Sequence, residues 1–550
     1  MRLSTGKCLL LAAAAFAMLA CAEKPAEPDG PSVELWGVWE EAFTAANADP
    51  RETELTVKLR SPGGAQREIE GFWDGGSNWR ARFMPTEPGA WQYEAQWDSP
   101  AGSQPGPAGT FVCVRAETSK NPLLQHGPVK VSSDGHYFEH ADGTPFFWLV
   151  DTVWNGALLS DDAGWQNFLD DRVAKKFTGA QFVITQWRTA LTNAEGQVAY
   201  SGFDDIEIHP EFFARIDRRI SEVNAKGLVA VPVLLWVPGE KESNPGNLPA
   251  EQAIRLARYM VARYHAHHVI WFLGGDSAYD GEHTERWKSI GRGVFGDREH
   301  APVFLHPRGM HWPWDAFRDE EWLSALGYQS GHGDNAETLA WIHSGPVAQG
   351  WEQGPAKPIV NIEPPYEDHI SYHSRERHSA YNVRRATYWS LLNAPTAGAT
   401  YGAHGVWSWQ TAAGVPLNHD RSGEAKPWQE AIQLPGSTGM RYMAELFASL
   451  PWWRLRPAQS LLTVQPGAKD PAQFVSAALS ADNDAAVFYL PVGGAIRVSN
   501  EALPEGLSKD EWFDPRTGQR SPAEGADGLY QAPSSEDWVL LLRAAASTAP

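Results

Sequence analysis

Cysteine is scarce in this chain, with only three among its 550 residues. Cys8 and Cys21 lie in an apolar N-terminal segment that we expect to be processed, which leaves Cys113 alone in the rest of the chain. A single cysteine has no partner for an intrachain disulfide. The sequence therefore excludes a disulfide-based scaffold, even in an oxidising compartment.

Basic residues are also few relative to acidic ones. The chain has 46 lysines and arginines against 67 aspartates and glutamates, a formal net charge of −21. A surface of this sign repels a phosphate backbone rather than displacing its counterions. The composition therefore argues against nucleic acid as a partner. Tryptophan, by contrast, is abundant at 26 residues, and we expect some of these rings to face a binding cleft.

Motifs of several enzyme classes are missing. No HExxH, GxSxG or phosphate-loop pattern follows the N-terminal segment, which argues against metalloproteases, serine hydrolases and nucleotide-binding enzymes. The histidine cluster at residues 265–268 precedes a predicted barrel strand and so belongs on the face opposite a catalytic site. We therefore expect no metal and no cofactor.

The N-terminus has the features of an export signal. Arg2 and Lys7 precede an apolar run at residues 9–19, which is too short to span a bilayer but typical of a secretory signal. The MLAC sequence at residues 18–21 is similar to a bacterial lipobox, which predicts cleavage before Cys21 and a lipid anchor on it. An ordinary signal peptide with a chance cysteine is the alternative. We expect residues 1–21 to be signal and lipobox, residues 22–31 a flexible tether, and the chain a secreted lipoprotein of the bacterial cell envelope, at the outer membrane or periplasmic face.

Length and periodicity divide the remaining chain into three domains. Residues 32–117 alternate apolar and polar residues, as in ELTVKLR and WQYEAQW, which predicts an antiparallel β-sandwich. Residues 118–456 alternate apolar strand-like runs with amphipathic helical stretches, and residues 457–545 return to short strands. The predicted fold class is multidomain α/β plus all-β, with a (β/α)8 TIM barrel between an N-terminal and a C-terminal β-sandwich.

Eight apolar runs in the middle domain are candidate barrel strands. In chain order they are FFWLVD, AQFVITQW, LVAVPVLLW, VIWFLGGD, PVFLHP, ALGYQS, PIVNIE and ATYGAH. Most of them are followed by a helical candidate. Eight β/α units over roughly 330 residues fit a TIM barrel with long loops.

Two acids close strands on opposite sides of this predicted barrel. Asp276 follows the fourth strand and Glu363 ends the seventh, at the C-terminal face where this fold carries its catalytic groups. The pair can flank one glycosidic bond, with one acid protonating the leaving oxygen and the other attacking or stabilising the sugar. A separation of about 5–5.5 Å would mean retention of anomeric configuration, and about 6.5–9.5 Å would mean inversion.

Each acid also has a structural explanation. Asp276 could cap the helix expected at HTERW, and Glu363 could belong to a surface ion pair. Glu367 competes for the second catalytic position, but it lies beyond two prolines and we place it as a neighbour that orients the site. The two catalytic roles stay unassigned at this point.

Other strand ends supply candidate sugar contacts, because a sugar ring needs polar groups for its hydroxyls and flat aromatic faces for its C–H side. For each tryptophan the alternative is core packing. Asp151 stands out because it follows an apolar run and has no obvious structural partner. The full set is Asp151, Trp154, Gln186, Trp187, Trp236, His306, Gln329, His332, Tyr366, Glu367, His404 and Trp407.

Five separated motifs lie in order in the middle domain: FFWLVDTVWNGAL, HHVIWFLGGD, YQSGHGDNAETLAWI, KPIVNIEPPYE and TYGAHGVWSW. Together they resemble the bacterial apiosidase-like glycoside hydrolases. The flanking domains are similar to the N-terminal sandwich and the collagen-binding-type C-terminal sandwich that accompany this barrel. The resemblance implies a retaining mechanism with Asp276 as acid/base and Glu363 as nucleophile. It does not fix apiose as the sugar.

Two functions of different classes therefore stand. The first is a surface-anchored glycoside hydrolase acting on a plant or microbial polysaccharide or oligosaccharide. The second is a non-catalytic glycan- or matrix-binding lipoprotein, which would not need opposed carboxyl groups. A further hypothesis is that the N-terminal GFWDGGSNW segment binds carbohydrate, the alternative being that Trp73 and Trp79 fill a core. Sugar, linkage, exo or endo action and oligomeric state are not determined by the sequence.

Overall fold

The computed structural model describes residues 30–46, 48–239, 244–296 and 298–544. The predicted signal and lipobox, including Cys21, lie outside these residues, as does most of the predicted tether. Within the described chain, no helix is both long enough and apolar enough to cross a membrane.

The first part of the chain forms two β-sheets around one core. Its strands are β1 (Ser32–Glu34), β2 (Trp39–Thr44), β3 (Glu54–Arg60), β4 (Gln66–Glu70), β5 (Phe72–Trp73), β6 (Asn78–Phe83), β7 (Gly89–Ser99) and β8 (Gly102–Val114). The sheets have the orders β1-β8-β7-β3-β4 and β2-β6-β5. Alternate side chains of both sheets, such as Trp79 of β6 and Trp91 of β7, pack into the same cluster. The prediction of purely antiparallel pairing is wrong at β1, which enters at the sheet edge and runs parallel to β8.

The middle part alternates strands with helices. Its strands are β9 (Val129–Val131), β10 (Phe138–His140), β11 (Pro145–Phe146), β12 (Trp148–Thr152), β13 (Gly179–Val183), β14 (Tyr200–Ser201), β15 (Glu207–Ile208), β16 (Val229–Trp236), β17 (Trp271–Gly275), β18 (Val303–Phe304), β19 (Leu326–Gln329), β20 (Ile359–Glu363) and β21 (Gly398–Gly402). Its helices are α1 (Pro122–His126), α2 (Gly156–Leu159), α3 (Asp162–Ala174), α4 (Pro210–Ala225), α5 (Ala250–Tyr264), α6 (His283–Val294), α7 (Trp314–Phe317), α8 (Ala336–Ser344), α9 (Pro346–Gly350), α10 (Ala380–Leu392), α11 (Trp428–Ala431) and α12 (Pro435–Ala448).

Strands β12, β13 and β16 to β21 occupy the eight predicted barrel positions. Six of them form one parallel sheet in the order β18-β17-β16-β13-β12-β21, and β19 and β20 form a separate parallel pair. The main-chain N–H groups of Ser324 and Ala325, just before β19, donate to the carbonyl of Val303 in β18. Beyond β20, the N–H of Glu367 donates to the carbonyl of Gly402 in β21. This arrangement fits a TIM-type core.

The helices begin and end where the sequence punctuates them. The carboxylate of Asp161 accepts the Gly164 N–H at the start of α3, and Pro210 occupies the first turn of α4. Gly227 follows α4 with φ +78°, a left-handed backbone conformation that favours glycine. The amphipathic faces of α4 and α5 bury their apolar residues against the strands.

Most of the tryptophans belong to cores. Trp148, Trp165, Trp271, Trp287 and Trp389 are fully or almost fully buried. Strands such as β16 and β17 are buried along their whole length, which explains why their sequences are unbroken apolar runs.

The third part of the chain forms two further sheets. Its strands are β22 (Leu455–Pro457), β23 (Ser476–Ser480), β24 (Ala485–Leu490), β25 (Ala495–Arg497), β26 (Leu507–Phe513), β27 (Arg520–Pro522), β28 (Gly525–Ala526), β29 (Leu529–Gln531) and β30 (Trp538–Ala544). The sheets have the orders β22-β23-β24-β30-β26-β27 and β25-β29-β28 and share one core.

Buried ion pairs join the three parts. Asp217 on α4 accepts from Arg82 of β6 at 3.0 Å and from Arg263 of α5 at 2.7 Å. At the other end, Arg384 of α10 donates to both carboxylate oxygens of Asp537, just before β30, at 2.6 and 2.7 Å. These charges are removed from water and matched by close partners, so each junction is tightly specified.

Candidate active site

Asp276 lies immediately after β17, at the C-terminal end of the parallel sheet. Its backbone is left-handed, with φ +51°, and its N–H donates to Nδ1 of His306 at 3.3 Å. Gly275 leaves no space for a side chain, since an added Cβ would lie 2.3 Å from the ring of Trp236. The glycines thus let the end of β17 pack closely on aromatic rings, and the Asp276 carboxyl group lies at the edge of the sheet. Asp276 does not cap α6, which starts seven residues later after Glu282.

Glu363 is the last residue of β20 and is almost fully buried. Its Oε1 accepts from Nε2 of Gln329 at 2.9 Å and lies 3.1 Å from Nε2 of His332. Its Oε2 lies 3.0 Å from Nε2 of His306. Three side chains from β19 and the loops after β18 and β19 therefore converge on one carboxylate.

The hydrogen bonds at Nδ1 determine the tautomers of His306 and His332. Nδ1 of His306 accepts the N–H of Asp276, and Nδ1 of His332 accepts the N–H of Tyr366 at 3.3 Å. A ring nitrogen that accepts a hydrogen bond has no proton, so each neutral ring carries its proton on Nε2. The Nε2–H of His332 then donates to Oε1 of Glu363, and the Nε2–H of His306 lies beside Oε2.

This environment separates the two carboxyl groups in acidity. Burial favours the neutral form of Glu363, but the hydrogen bonds from His306 and His332 outweigh it and hold the pKa well below its usual range. Burial raises the pKa of Asp276 to about 6. The positive charge of Arg188 lowers this pKa, and the negative charge of Glu363 raises it. Two carboxyl groups with pKa values pushed apart can act as a proton donor and an anion at the same pH.

Both carboxyl groups line a cavity of about 710 Å³. A volume of this size accommodates a small-molecule ligand. Its walls come from loops after several strands of the parallel core. The remaining lining residues are Arg188, Gly309, Met310, Gln329, Ser330, Gly331, His332, Gly333, Thr338, Tyr372, His373, Asn418, His419, Asp420 and Arg421.

Several predicted sugar-contact residues lie at or directly beneath this cavity. Gln329 and His332 line it, whereas His306 is fully buried under Glu363. The rings of Trp154 and Trp236 pack on His306, with centroids 5.6 and 5.8 Å away. These two tryptophans are almost fully buried, so they support the imidazole rather than lining the cavity.

Tyr366 also supports the site from below. Its hydroxyl accepts from Nε1 of Trp154 at 3.0 Å, and its ring packs on His332 with a centroid separation of 4.6 Å. Burial, followed by the negative charge of Glu363, raises the pKa of the Tyr366 hydroxyl. The phenol therefore stays neutral.

Asp151 has a structural partner, and the expectation that it has none is wrong. Its Oδ2 lies 2.5 Å from Nε of Arg172 on α3, and both side chains are completely buried. Asp151 does not line the cavity. Asp151, at the end of an apolar strand, thus neutralises the Arg172 guanidinium, which is buried between strand and helix.

Glu367 is likewise held away from the cavity. Its carboxylate accepts from the Tyr401 hydroxyl at 2.5 Å and from the N–H of Gly436 at 2.9 and 3.0 Å. Gly436 is in the first turn of α12, where unpaired N–H groups attract an anion. Burial raises the pKa of Glu367 nonetheless.

Gln186 and Trp187 are engaged in loop packing after β13. The amide of Gln186 donates to the carbonyl of Tyr200 at 2.9 Å. Nε1 of Trp187 donates to Oδ1 of Asn155 at 2.8 Å, and its ring lies 4.6 Å from that of Trp236. Both residues shape the wall behind the cavity without reaching its surface.

His404 and Trp407 form a local pair after β21. Nε1 of Trp407 donates to Nδ1 of His404 at 3.0 Å, and Nε2 of His404 faces the carbonyl of Gly423 at 3.0 Å. Both are buried and outside the cavity lining. They anchor the loop that carries Asn418 and His419 to the site.

Sequence reasoning missed most of the cavity wall, including Arg188, Tyr372, Asn418 and His419. Arg188 is the informative omission, because its guanidinium lies 3.7 Å from Oδ2 of Asp276. It directly follows the predicted Trp187, so its position at a strand end was a usable signal. The other three lie in long irregular loops, where no periodicity marks which side chain turns inward.

The described residues contain no group of three or more His, Cys, Asp or Glu side chains suited to a metal ion. In the cluster at 265–268, Nε2 of His268 lies 2.9 Å from the carbonyl of Trp36. Burial lowers the pKa of His267 to about 3 and that of His268 to about 4. These rings are neutral packing groups between the first two domains.

Three family models match separate parts of the chain. Residues 132–454 match the family model described as "Apiosidase-like, catalytic domain". Residues 32–98 match a domain of unknown function, DUF5060, and residues 457–543 match "Putative collagen-binding domain of a collagenase". No curated protein matches the chain.

Solved structures share the fold at low identity. A glycoside hydrolase family 5 structure from Bacteroides vulgatus ATCC 8482 is 23% identical, with a TM-score of 0.68 over 77% of this chain and 94% of that one. A structure described as "Glycoside hydrolase" is 23% identical, with a TM-score of 0.69 over 78% of this chain and 99% of that one. A "putative glycoside hydrolase" from the same Bacteroides strain is 18% identical, with a TM-score of 0.67 over 94% of this chain and all of that one.

Proposed function

This chain belongs to the apiosidase-like family and is a glycoside hydrolase, and we propose that it acts with retention through Asp276 and Glu363. In this proposal Asp276 is the general acid and base, and Glu363 is the nucleophile. The eight parallel strands close into a full (β/α)8 barrel, with the flanking sheet pairs forming two β-sandwiches. The substrate is a carbohydrate, and its sugar stays open.

The proposed reaction has two steps that use each carboxyl group twice. A Glu363 oxygen attacks the anomeric carbon while the Asp276 carboxyl gives its proton to the leaving glycosidic oxygen. This step breaks the glycosidic bond and forms a glycosyl ester on Glu363. Asp276, now ionised, then takes a proton from water, whose oxygen attacks the anomeric carbon and releases Glu363.

The hydrogen-bond pattern around Glu363 is the observation that carries the proposal. Gln329 donates to this carboxylate, Nε2 of His332 lies 3.1 Å from the same oxygen, and Nε2 of His306 lies 3.0 Å from the other oxygen. A nucleophilic carboxyl group must be ionised, and hydrogen bonds donated to its oxygens stabilise the ionised form. Asp276 has the opposite bias, with a pKa raised to about 6 mainly by burial, which suits a proton donor.

Proton NMR of the first-formed product tests the stereochemistry on an aryl glycoside that the enzyme cleaves. Retention is expected before mutarotation begins, and initial formation of the opposite anomer would contradict the mechanism. Glu363→Ala should lose activity on all glycosides. Asp276→Ala should keep activity on substrates with acidic phenol leaving groups, because these need no proton, and azide should accelerate its second step.

Asp420→Asn is the matched control, because Asp420 is an exposed carboxylate of the same cavity. It should retain most of the activity. A non-catalytic glycan-binding protein would instead show no product in the wild type and equal binding in all variants. Equal turnover by wild type, Asp276→Ala and Glu363→Ala would remove the proposed pair.

We also propose that Cys21 carries a lipid anchor that holds the enzyme at the cell envelope. The support is the apolar segment at residues 9–19 followed by MLAC.

A further inference from the structure

We propose a second carbohydrate site, for a neutral glycan, in a cavity between the N-terminal domain and the catalytic domain. The cavity has a volume of about 280 Å³. One wall comes from Asp49, Arg51 and Trp73 of the N-terminal domain, and the other from Glu207, Arg255 and Tyr259 of the catalytic domain. It shares no lining residue with the catalytic cavity and does not depend on the proposed mechanism.

Trp73 supplies the flat aromatic surface that such a site needs. Its Nε1 donates to the carbonyl of Gly76 at 2.9 Å, and its own carbonyl accepts from the Tyr259 hydroxyl at 3.0 Å. The indole is thereby fixed in place while remaining only half-buried at the cavity. Trp79, six residues later, is 3% exposed and fills the domain core. The two tryptophans of the GFWDGGSNW segment thus have different roles.

The polar lining has charges of both signs. Two arginines, Arg51 and Arg255, and two acidic residues, Asp49 and Glu207, line the cavity. A sugar hydroxyl can accept from the first pair and donate to the second, so both hydrogen-bonding capacities of a polyhydroxylated ring are met. Asp205 lies 3.2 Å from Arg51 and 3.5 Å from Arg255, so carboxylates outnumber guanidinium groups here and an anion is disfavoured. A neutral sugar beside the indole face fits this lining better than a phosphate or a carboxylate does.

Neighbouring contacts hold the two arginines without exhausting their donors. NH1 of Arg255 donates to the carbonyl of Ile206 at 2.9 Å, and NH1 of Arg51 lies 3.2 Å from Oδ2 of Asp205. Each guanidinium has five donors, so further hydrogen bonds to a ligand remain available. The positions are therefore set before a ligand binds, which limits the ordering cost of binding.

The N-terminal domain supplies only half of this site. Half of the cavity belongs to β15 and α5 of the catalytic domain, so the site exists only when the two domains are together. A glycan chain held here would keep the whole enzyme on a polymer while the catalytic cavity releases its product. The expected gain is retention on the substrate, without a change in the chemical step.

Affinity electrophoresis of the whole chain in native gels tests the proposal. The gels contain xylan, arabinan, galactan, glucomannan or dextran, and one further gel contains polygalacturonate. At least one neutral gel should retard the wild type. Trp73→Ala should weaken that retardation tenfold or more and Glu207→Gln severalfold, with hydrolysis of a small soluble substrate unchanged in both.

Trp97→Ala is the matched control, because Trp97 is a half-buried tryptophan of the same domain outside this cavity. It should migrate like the wild type, and melting temperatures identify any variant that fails to fold. Glu207 is exposed, so Glu207→Gln decides the result if Trp73→Ala is unstable. Unretarded wild type in every neutral gel, or equal retardation of wild type and both variants, would overturn the proposal. Retardation that depends on Trp73 only in polygalacturonate would overturn the neutral ligand class.

Discussion

Nε2 of His306 lies 3.0 Å from Oε2 of Glu363, while Nδ1 of the same ring accepts the Asp276 N–H. One imidazole therefore connects the backbone of the proposed acid to the carboxylate of the proposed nucleophile. The connection fixes the tautomer of His306 and the relative placement of β17 and β20. Preorganisation of this kind positions reacting groups before substrate arrives.

Replacing His306 should raise the pKa of Glu363. His306→Phe removes a polar group that lies 3.0 Å from Oε2 of Glu363 and favours the ionised carboxylate, and a hydrogen bond to a charged group is worth about 1.5–3 kcal/mol. At about 1.4 kcal/mol per pKa unit, the acidic limb of kcat/KM should move up by about 1–2 pH units. The pH profile measures this shift. His136→Phe, a half-buried histidine outside the cavity, should leave the limb in place.

Asp276 should set the basic limb of the same profile. A general acid must be protonated, so kcat/KM should fall as the pH rises through about 6, the pKa of Asp276 in the free enzyme. Arg188→Gln removes a cation that lowers this pKa, so the basic limb should move to higher pH. Arg188→Lys keeps the charge and should move it less. A limb that is unchanged in Arg188→Gln would contradict the assignment of Asp276.

Asp276→Asn should stabilise the fold at neutral pH while lowering kcat about 10²–10⁴-fold. The folded-state pKa of Asp276 is raised from 3.8 to about 6, so the ionised group costs stability above pH 3.8, and the cost is complete above about pH 6. The gain is at most about 3 kcal/mol, from two pKa units at about 1.4 kcal/mol each. Denaturant unfolding at pH 7.5 and pH 3.5 measures it. A gain that persists at pH 3.5 would have another cause.

Asp151→Asn should damage stability rather than catalysis. It leaves the fully buried Arg172 guanidinium with Asp171 as its remaining charge partner, and removing one member of a buried pair costs up to about 3–5 kcal/mol. KM should stay within about twofold of the wild type in the fraction that folds. Asp162→Asn breaks the pair with Arg219 at a carboxylate that is 77% exposed, and it should cost only about 0–1 kcal/mol. A large rise in KM for Asp151→Asn would restore the predicted sugar contact.

Cys21→Ser should release the protein from membranes. The lipid would be attached to the Cys21 thiol, so the variant should appear in the soluble fraction and should not incorporate labelled fatty acid. Cys113→Ser, which changes a buried cysteine far along the chain, is the control and should leave fractionation unchanged. Equal membrane association of Cys21→Ser and wild type would leave an ordinary signal as the explanation.

The strands of the catalytic domain were predictable because buried parallel strands have continuous apolar sequences. VIWFLGG and PIVNIE are short runs of this kind, and the acids at their ends follow from the direction of the chain. The partner of Asp151 was not predictable in this way. Arg172 lies 21 residues later on α3, directly after two aspartates, and this polar stretch gives no sign that it turns inward. The role of Glu367 depends on Gly436, which is still more distant in sequence.

Asp217 shows where the first two domains cannot be separated without damage. It is shared by Arg82 from the N-terminal sheets and Arg263 from the catalytic domain, and Arg82 also donates to the main-chain carbonyl of Arg263. A protein shortened to begin at residue 118 would lose the first guanidinium and expose the apolar faces packed around the second. Secretion yield and protease resistance of such a fragment should therefore fall, even though every residue near Glu363 is retained.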